Sequence, residues 1–562
     1  MIYNGARIVV EQLCANGVDI VFGYPGGSVL PLYDELYKNA DRITHILSAH
    51  EQGAAHAADG YARVSGKTGV VIATSGPGAT NLITGIANAY LDSVPMVAIT
   101  GNVTLPLLGK DSFQEVDIVG ITLPVVKHNF VVRDISRLEH TMREAFRIAG
   151  SGRKGPVLVD IPKTIQIETC EYQGLLPESA ERSASPSGKF ADARTPASFS
   201  DSDIQRVAEA IMRSKKPYIY AGGGVLASGA EAELLELSKR LSAPVGFSMM
   251  GLTALPGGYE LNLGMCGMHG RYAASVAQAE CDLMIGLGVR FSDRATGDTE
   301  AFRQGRVIVH VDIDLAEIGK NVSSHIGVCG DARTVLKKLL EVLPTVRNDE
   351  WLARVEELKQ AEQGPLYSGF TPEHIIKAVR RYHGDDTVVA TDVGQHQMWT
   401  MQFYRFGNAR TLLTSGGLGA MGFGMGAAIG GCLARGKQRT LLFTSDGSFG
   451  MNLNELATAV THELPLVIVV LNNGALGMVR QWQRIFYDRR YSQTTLERKT
   501  DFVALARAFG AEGYSAESMP QLEEILGGLS ASTPTVIDCR IKSDEMVLPM
   551  IPPGGSVNDI IY

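Results

Sequence analysis

The densest chemistry in the chain lies in the segment SDGSFGMNLNELATAVTHELPLVIVVLNNGA, residues 445–475. An apolar run, RTLLFTS, ends at Asp446; a helix is expected over roughly Asn452 to His462; a second apolar run ends at Asn472 and Asn473. Consecutive strands joined by a right-handed crossover lie close together in a parallel sheet. That arrangement sets Asp446 and Asn473 at one carboxyl edge, where open α/β sheets take ligands. Each side chain offers a hard oxygen suited to Mg2+ or Ca2+. Gly447, Gly474 and Gly477 beside them let the backbone approach a phosphate. The chemistry expected here is a divalent cation holding a phosphate-bearing ligand. A second candidate is Glu51 in HEQGAAHAADGYAR, where the strand THILSA runs into the first turn of a helix. A third is the Gly-rich stretch SGGLGAMGFGMG that begins at Ser415.

Three blocks of elements must position these residues. From Val18 to about Ile165, short β-branched runs such as GVVIAT and PMVAIT alternate with helical stretches, which implies βαβ units and a parallel sheet. A Ser-, Ala- and Pro-rich stretch over 176–200 has no periodicity and reads as a linker. The second block carries the strands PYIYAGG, CDLMIGLG and RVIVHVDID; its first strand runs into Gly222, Gly223 and Gly224, a Rossmann-like unit suited to a nucleotide. A polar, charged stretch over 345–368 reads as a second linker. The third block, with TVVATD, RTLLFTSD, PLVIVVLNN and TPTVIDCR, resembles the first in type only.

The spacing from Asp446 to Asn473 resembles the GDG…NN motif of thiamine-diphosphate enzymes, and nearly the whole chain, about residues 3 to 555, resembles the acetohydroxyacid synthase (acetolactate synthase) catalytic subunits. The resemblance rests on KDSFQEVDIVGITLPVVKHNF, GPVLVDIPKTIQ, GMHGRYAA, GLGVRFSDRATGD and VHVDIDLAEIGKN. It implies an α/β protein of three doubly wound parallel-sheet domains. These are an N-terminal pyrimidine-binding thiamine-diphosphate domain over 1–175, a Rossmann-like FAD domain over 201–344, and a C-terminal diphosphate- and Mg2+-binding domain over 369–562. The implied reaction joins two 2-keto acids with loss of CO2, from pyruvate and a second pyruvate or 2-ketobutyrate, as the first step toward branched-chain amino acids.

Carried over residue by residue, the resemblance gives Glu51 the pyrimidine N1' and places Phe113 and Gln114 at the reaction centre. Lys163 stands at the substrate entrance, Arg294 on the carboxylate of the second keto acid and Trp482 against its alkyl group. The Mg2+ ligands would be Asp446, Asn473 and the carbonyl of Ala475. Val393, Gly394, Gln395, Gly419, Met421, Gly447, Ser448, Gly474 and Met478 would hold thiamine diphosphate. FAD would lie against Arg153, Gly222, Gly223, Met250, Met268, His269, Gly288, Arg290, Asp312 and Asp331. The family draws Glu51 and the diphosphate site from different subunits, so a homodimer or tetramer is expected, with a small regulatory subunit as a further partner. Three departures stand out: Ser445 where the family has Gly, FGMGAAIG in place of FGLPAAIG, and Leu123 in place of Arg.

Composition narrows the class from another side. The chain has 562 residues, 45% apolar and 20% charged, enough for roughly three to four domains at about 150 residues each. A net charge of −8 repels polyphosphate backbones and argues against nucleic acid as a partner. Seven scattered cysteines never fall in CxxC spacing, so neither a zinc site nor a disulfide framework is expected. The apolar run Leu464 to Leu471 is far short of a membrane span. The start, MIYNGARIVVEQL, reads as an amphipathic helix without the features of a targeting segment, and a cytoplasmic setting is expected. Related chemistries remain alongside: an oxidase sharing FAD and thiamine would consume O2, and a simple decarboxylase would release aldehyde.

Overall fold

The computed structural model describes residues 1–174, 199–362 and 369–562. Three six-stranded sheets, each wholly parallel, organise these residues, as the alternating pattern predicts. In the first, Thr44–Leu47, Ile20–Tyr24, Gly69–Ala73, Met96–Asn102, Pro156–Pro162 and His128–Val131 lie side by side in that order. In the third, Leu412–Leu413, Val388–Thr391, Thr440–Thr444, Leu466–Asn472, Thr535–Arg540 and Glu512–Ala516 repeat the same order, counted along each block. The likeness of these two blocks is therefore one of topology, which the sequence showed only as a likeness of type. The inner strands are almost entirely buried on both faces, which is why they read as continuous Val, Ile and Leu runs.

The second sheet runs Asn262–Met265, Val245–Phe247, Pro217–Ala221, Leu283–Leu287, Val307–Asp312 and Ile326–Cys329. Counted from its first strand this is the order 3-2-1-4-5-6 of dinucleotide-binding sheets, with the crevice between Pro217–Ala221 and Leu283–Leu287. The short edge strands are the ones without a clear apolar run, and pairing with a neighbour decides them.

Two local expectations change. Ile2–Asn4 forms a strand antiparallel to Thr169–Glu171, and the N-terminal helix begins only at Gly5, capped by the Asn4 side chain. The stretch 345–368 contains the helix Asp349–Ala361, whose Trp351 is buried and donates to the Pro217 carbonyl at 3.0 Å. Its charged outer face hides this amphipathic pattern, so it reads as a linker although it packs on the second sheet's domain. The stretch 176–200 falls outside the described residues except for 199–200, where Ser200 caps the helix Asp201–Arg213.

The first and third domains meet along two helices, Glu51–Ser65 and Phe423–Ala434. A Cβ on Gly430 would stand 1.9 Å from the Ala57 carbonyl, and one on Gly60 2.3 Å from the Ala427 carbonyl, so glycine sets this close approach. The departure in FGMGAAIG falls here too, because a Cβ on Gly426 would meet the Gly53 carbonyl at 2.5 Å. All seven cysteines are free thiols. Among the described residues no helix is long and apolar enough to cross a membrane.

Candidate functional site

Strands Thr440–Thr444 and Leu466–Asn472 are parallel neighbours, with Thr444 opposite Val470. Asp446 and Asn473 accordingly leave the sheet at one edge. The helix after the first strand begins at Asp446 itself and runs to Asn452, earlier than the pattern suggested, followed by a 3-10 turn Leu453–Glu455 and a helix Leu456–Thr461. Ser445 is its N-cap, and its hydroxyl accepts from the Ser448 N–H at 3.4 Å. The serine thus has local work to do where the family has glycine. Ser448 in turn donates to the Val393 carbonyl at 2.9 Å.

Asp446 is buried, its Oδ1 has no hydrogen-bond donor, and burial pushes its carboxyl up to about 6. An orphaned buried carboxylate oxygen is what a site built for a cation leaves behind. Asn473 Nδ2 donates to Gln395 Oε1 at 3.1 Å, and Asn473 Oδ1 accepts from the Ala475 N–H at 3.1 Å. The donor set, one carboxylate and one amide with backbone carbonyls beside them, suits a hard divalent ion. Gln395 begins the helix Gln395–Phe403, with Gly394 as N-cap at φ 148°, a value that favours glycine. Gly447 is buried in the first turn after Asp446, and Gly474 has φ 63° beside Asn473.

A cavity of about 1560 Å3 opens where the second and third domains meet the first, which contributes Asp92, Ser93 and Arg153 to its wall. It exceeds the ~300–1,000 Å3 of an ordinary ligand pocket. Expected flavin residues line it: Arg153, Gly223, Met250, Met268, His269, Gly288, Arg290, Asp312 and Asp331. So do expected thiamine residues, Val393, Gly394, Gly419, Met421 and Met478, together with Arg294 and Trp482. One continuous space therefore joins these residues, while Gln395, Gly447, Ser448, Gly474 and the candidate metal ligands Asp446, Asn473 and Ala475 are not in its lining. Gly222 stands just behind the wall, its N–H bonded to the Leu287 carbonyl at 2.9 Å.

Asp312 closes its strand at the crevice, buried, with its carboxyl pushed up to about 6 by desolvation. The Arg153 guanidinium bonds Glu317 at 2.7 Å and Ser93 at 2.9 Å. Asp331 is partly committed, since its Oδ1 caps the helix Ala332–Val342 through Thr334. His269 is buried with Nδ1 unpartnered, and desolvation lowers its pKa to about 4. Arg294, from the second domain, lies 5.5 Å over the Trp482 ring of the third and 3.6 Å from Asp293. Arg294 thus makes both a surface ion pair with its neighbour and a contact with Trp482.

Glu51, Phe113, Gln114 and Lys163 do not line this cavity. They gather at the carboxyl edge of the first sheet instead. Glu51 is buried and accepts from Asn81 Nδ2 at 2.9 Å; a Cβ on Gly78 would stand 3.1 Å from its Oε1. Gln114, at φ 57°, rests against Gly76 in the same turn. Phe113 projects with 87% of its surface exposed, and Leu123 is also exposed. Lys163 opens the short helix that follows strand Pro156–Pro162. These four residues thus stand outside the lining of the cavity.

Sequence reasoning missed the residues that fasten the Gly-rich stretch. Asp92 accepts from the Gly416 and Gly417 N–H groups at 3.1 and 2.8 Å. Arg63 bonds Asp92 at 2.9 Å, Asp59 at 2.5 Å and the Thr414 carbonyl at 3.1 Å. Ser415 donates to Asn88 at 2.5 Å. The one visible signal was Asp59 and Arg63 at i, i+4 on one helix. Asp392, just before Val393, was missed as well; it accepts from the Gly422 N–H at 2.7 Å.

With this geometry in place, comparison with known proteins is direct. Residues 3–121 match the N-terminal TPP binding domain of thiamine pyrophosphate enzymes, 204–339 their central domain and 392–539 their C-terminal TPP binding domain. The chain is 42% identical to the probable acetolactate synthase large subunit of Methanocaldococcus jannaschii over 99% of its own length and 95% of that protein. It is also 42% identical to the acetolactate synthase isozyme 2 large subunit of Escherichia coli K12, over 99% of each chain. Against the acetolactate synthase large subunit of Lactococcus lactis the identity is 41%, over 99% of this chain and 96% of that one.

Proposed function

Because the chain belongs to the acetolactate synthase large-subunit family of thiamine pyrophosphate enzymes, we propose that it decarboxylates pyruvate and joins the two-carbon unit to a second 2-keto acid, pyruvate or 2-ketobutyrate. When bound, thiamine diphosphate supplies the electron sink for the decarboxylation and the carbon–carbon bond. The observation that carries the reading is the pairing of Arg294 and Trp482 in the wall of a cavity also lined by Val393, Gly419 and Met421.

Asp446, Asn473 and the Ala475 carbonyl hold Mg2+, which the unpartnered Asp446 Oδ1 supports. Gly394, Gln395, Gly447, Ser448 and Gly474 receive the diphosphate. Met421 would lie against the bound cofactor, and the Gly419 carbonyl would accept from its 4'-amino group. Glu51 holds the proton at pyrimidine N1'. Arg294 takes the carboxylate of the acceptor in a fork that lysine does not reproduce, while Trp482 excludes water and walls the acceptor's alkyl group. The crevice beside Gly288, Arg290 and Asp312 holds FAD, for which the 3-2-1-4-5-6 strand order and the size of the cavity speak. Since Glu51 is not among the residues lining the cavity in one chain, the working site is proposed to form between two subunits. A small regulatory subunit is proposed because the relatives are named large subunits.

The test is to incubate the protein with pyruvate, thiamine diphosphate, Mg2+ and FAD and identify the product while following O2. Acetolactate without stoichiometric O2 uptake is expected. Acetate formed with O2 consumption, or free acetaldehyde alone, would overturn the carboligase assignment.

A further inference from the structure

Glu455 closes the 3-10 turn that follows the Asp446 helix, and only 1% of its surface is exposed. Its carboxylate leaves its own domain. Oε1 accepts from the His50 N–H at 3.0 Å and Oε2 from the Ala49 N–H at 3.2 Å, while Thr458 donates to Oε2 at 2.7 Å. Ala49 and His50 are the two residues before Glu51, and His50 is the N-cap of the helix in which Glu51 stands first. A Cβ on Gly53 would stand 2.0 Å from Glu455 Oε1, so glycine in that first turn is what admits the carboxylate. Among the described residues no lysine or arginine forms an ion pair with it.

A buried carboxylate without a cation is costly unless its oxygens are matched to donors. Here the donors are the backbone N–H groups at the one point where the Glu51 helix begins, and a negative charge there also suits the helix dipole. From this geometry we infer that Glu455 is a positioning residue for Glu51: it fixes the backbone ahead of Glu51 and so aims the Glu51 carboxyl. The inference rests on the role given to Glu51 above.

The test uses the holoenzyme with saturating thiamine diphosphate, Mg2+ and FAD, and no keto acid. Deuterium exchange at C2 of the bound thiamine, quenched in acid and read by proton NMR, reports the proton chemistry that Glu51 governs. Glu455→Gln keeps the size of the side chain but turns an amide toward the N–H donors. Exchange is expected to fall at least about tenfold, with cofactor affinity changed less than about threefold. Gly53→Ala, which displaces the carboxylate from the other side, is expected to give the same loss if Glu455→Gln does not fold. Exchange within about twofold of the unsubstituted enzyme in a folded variant overturns the inference. Glu51→Gln is measured alongside: normal exchange there overturns the role of Glu51 and this inference together, whereas normal exchange in the Glu455 variant alone overturns only the latter.

Discussion

At Asp446 a buried carboxylate oxygen faces no donor, and desolvation holds the group near pKa 6. Replacing it by asparagine keeps the shape but removes the charge that draws a hard cation. D446N is expected to weaken Mg2+-dependent binding of thiamine diphosphate by roughly 100-fold, read by titration calorimetry, because charge count sets affinity at such sites. Ser445 beside it caps a helix, so S445G is expected to cost only a few tenths of a kcal/mol in thermal unfolding, about what loss of a serine cap to glycine costs. Trp482 lines the cavity, and on the proposed reading it walls the acceptor. W482L is expected to lower the preference for 2-ketobutyrate over pyruvate by about tenfold or more, since one methylene in an apolar pocket is worth ~1–3 kcal/mol. Competition between the two acceptors, scored by product ratio, checks it.

The two helices that join the first and third domains carry consequences of their own. His56 sits between them against Phe423, fully buried with both ring nitrogens unpartnered, and desolvation lowers its pKa to about 3. Its unfolded value is ~6.5, so between these limits the unfolded chain binds the extra proton. The stability tied to the neutral ring is complete above about 6.5 and is lost as pH falls toward 3; at pH 5 the loss is roughly 2 kcal/mol. His45, His269 and His396 are lowered in the same sense, to about 4, 4 and 3. H56M is therefore expected to narrow, without abolishing, the gap in melting temperature between pH 5 and pH 7.5. On the same helix Arg63 pairs with buried Asp59 and Asp92. R63M leaves both carboxylates unpaired, and breaking such a buried group costs about 3–5 kcal/mol. A large fall in melting temperature is expected, with weaker retention of thiamine diphosphate and of the proposed FAD, because Asp92 holds Gly416 and Gly417 at the cavity wall.

For the whole molecule the decisive matter is that Glu51 is not among the residues lining the cavity in one chain. If the site forms between subunits, E51Q and D446N are each inactive alone, yet a mixed dimer has one site with both lesions and one with neither. Co-expression is expected to restore about a quarter of the unsubstituted activity, half of the dimers being mixed and each of those half active. Activity no higher than that of either variant alone would assign both residues to the same site.

Much of this protein was legible before any coordinates. The spacing of Asp446 and Asn473 placed both at one carboxyl edge of a sheet, as found, and the alternation of apolar runs with helices pointed to parallel sheets. Both follow from properties carried within a few residues of one another: ligand chemistry, strand ends and periodicity. The helix Asp349–Ala361 escaped notice because packing against the second domain, not its own charged outer face, decides it. What only the tertiary structure decided spans the chain. Asp92 reaches Gly416 and Gly417 across 324 and 325 residues, and Glu455 reaches His50 and Ala49 across 405 and 406. No local pattern encodes such partners, because a buried carboxylate finds its N–H donors only once two separately folded sheets have packed and excluded water between them.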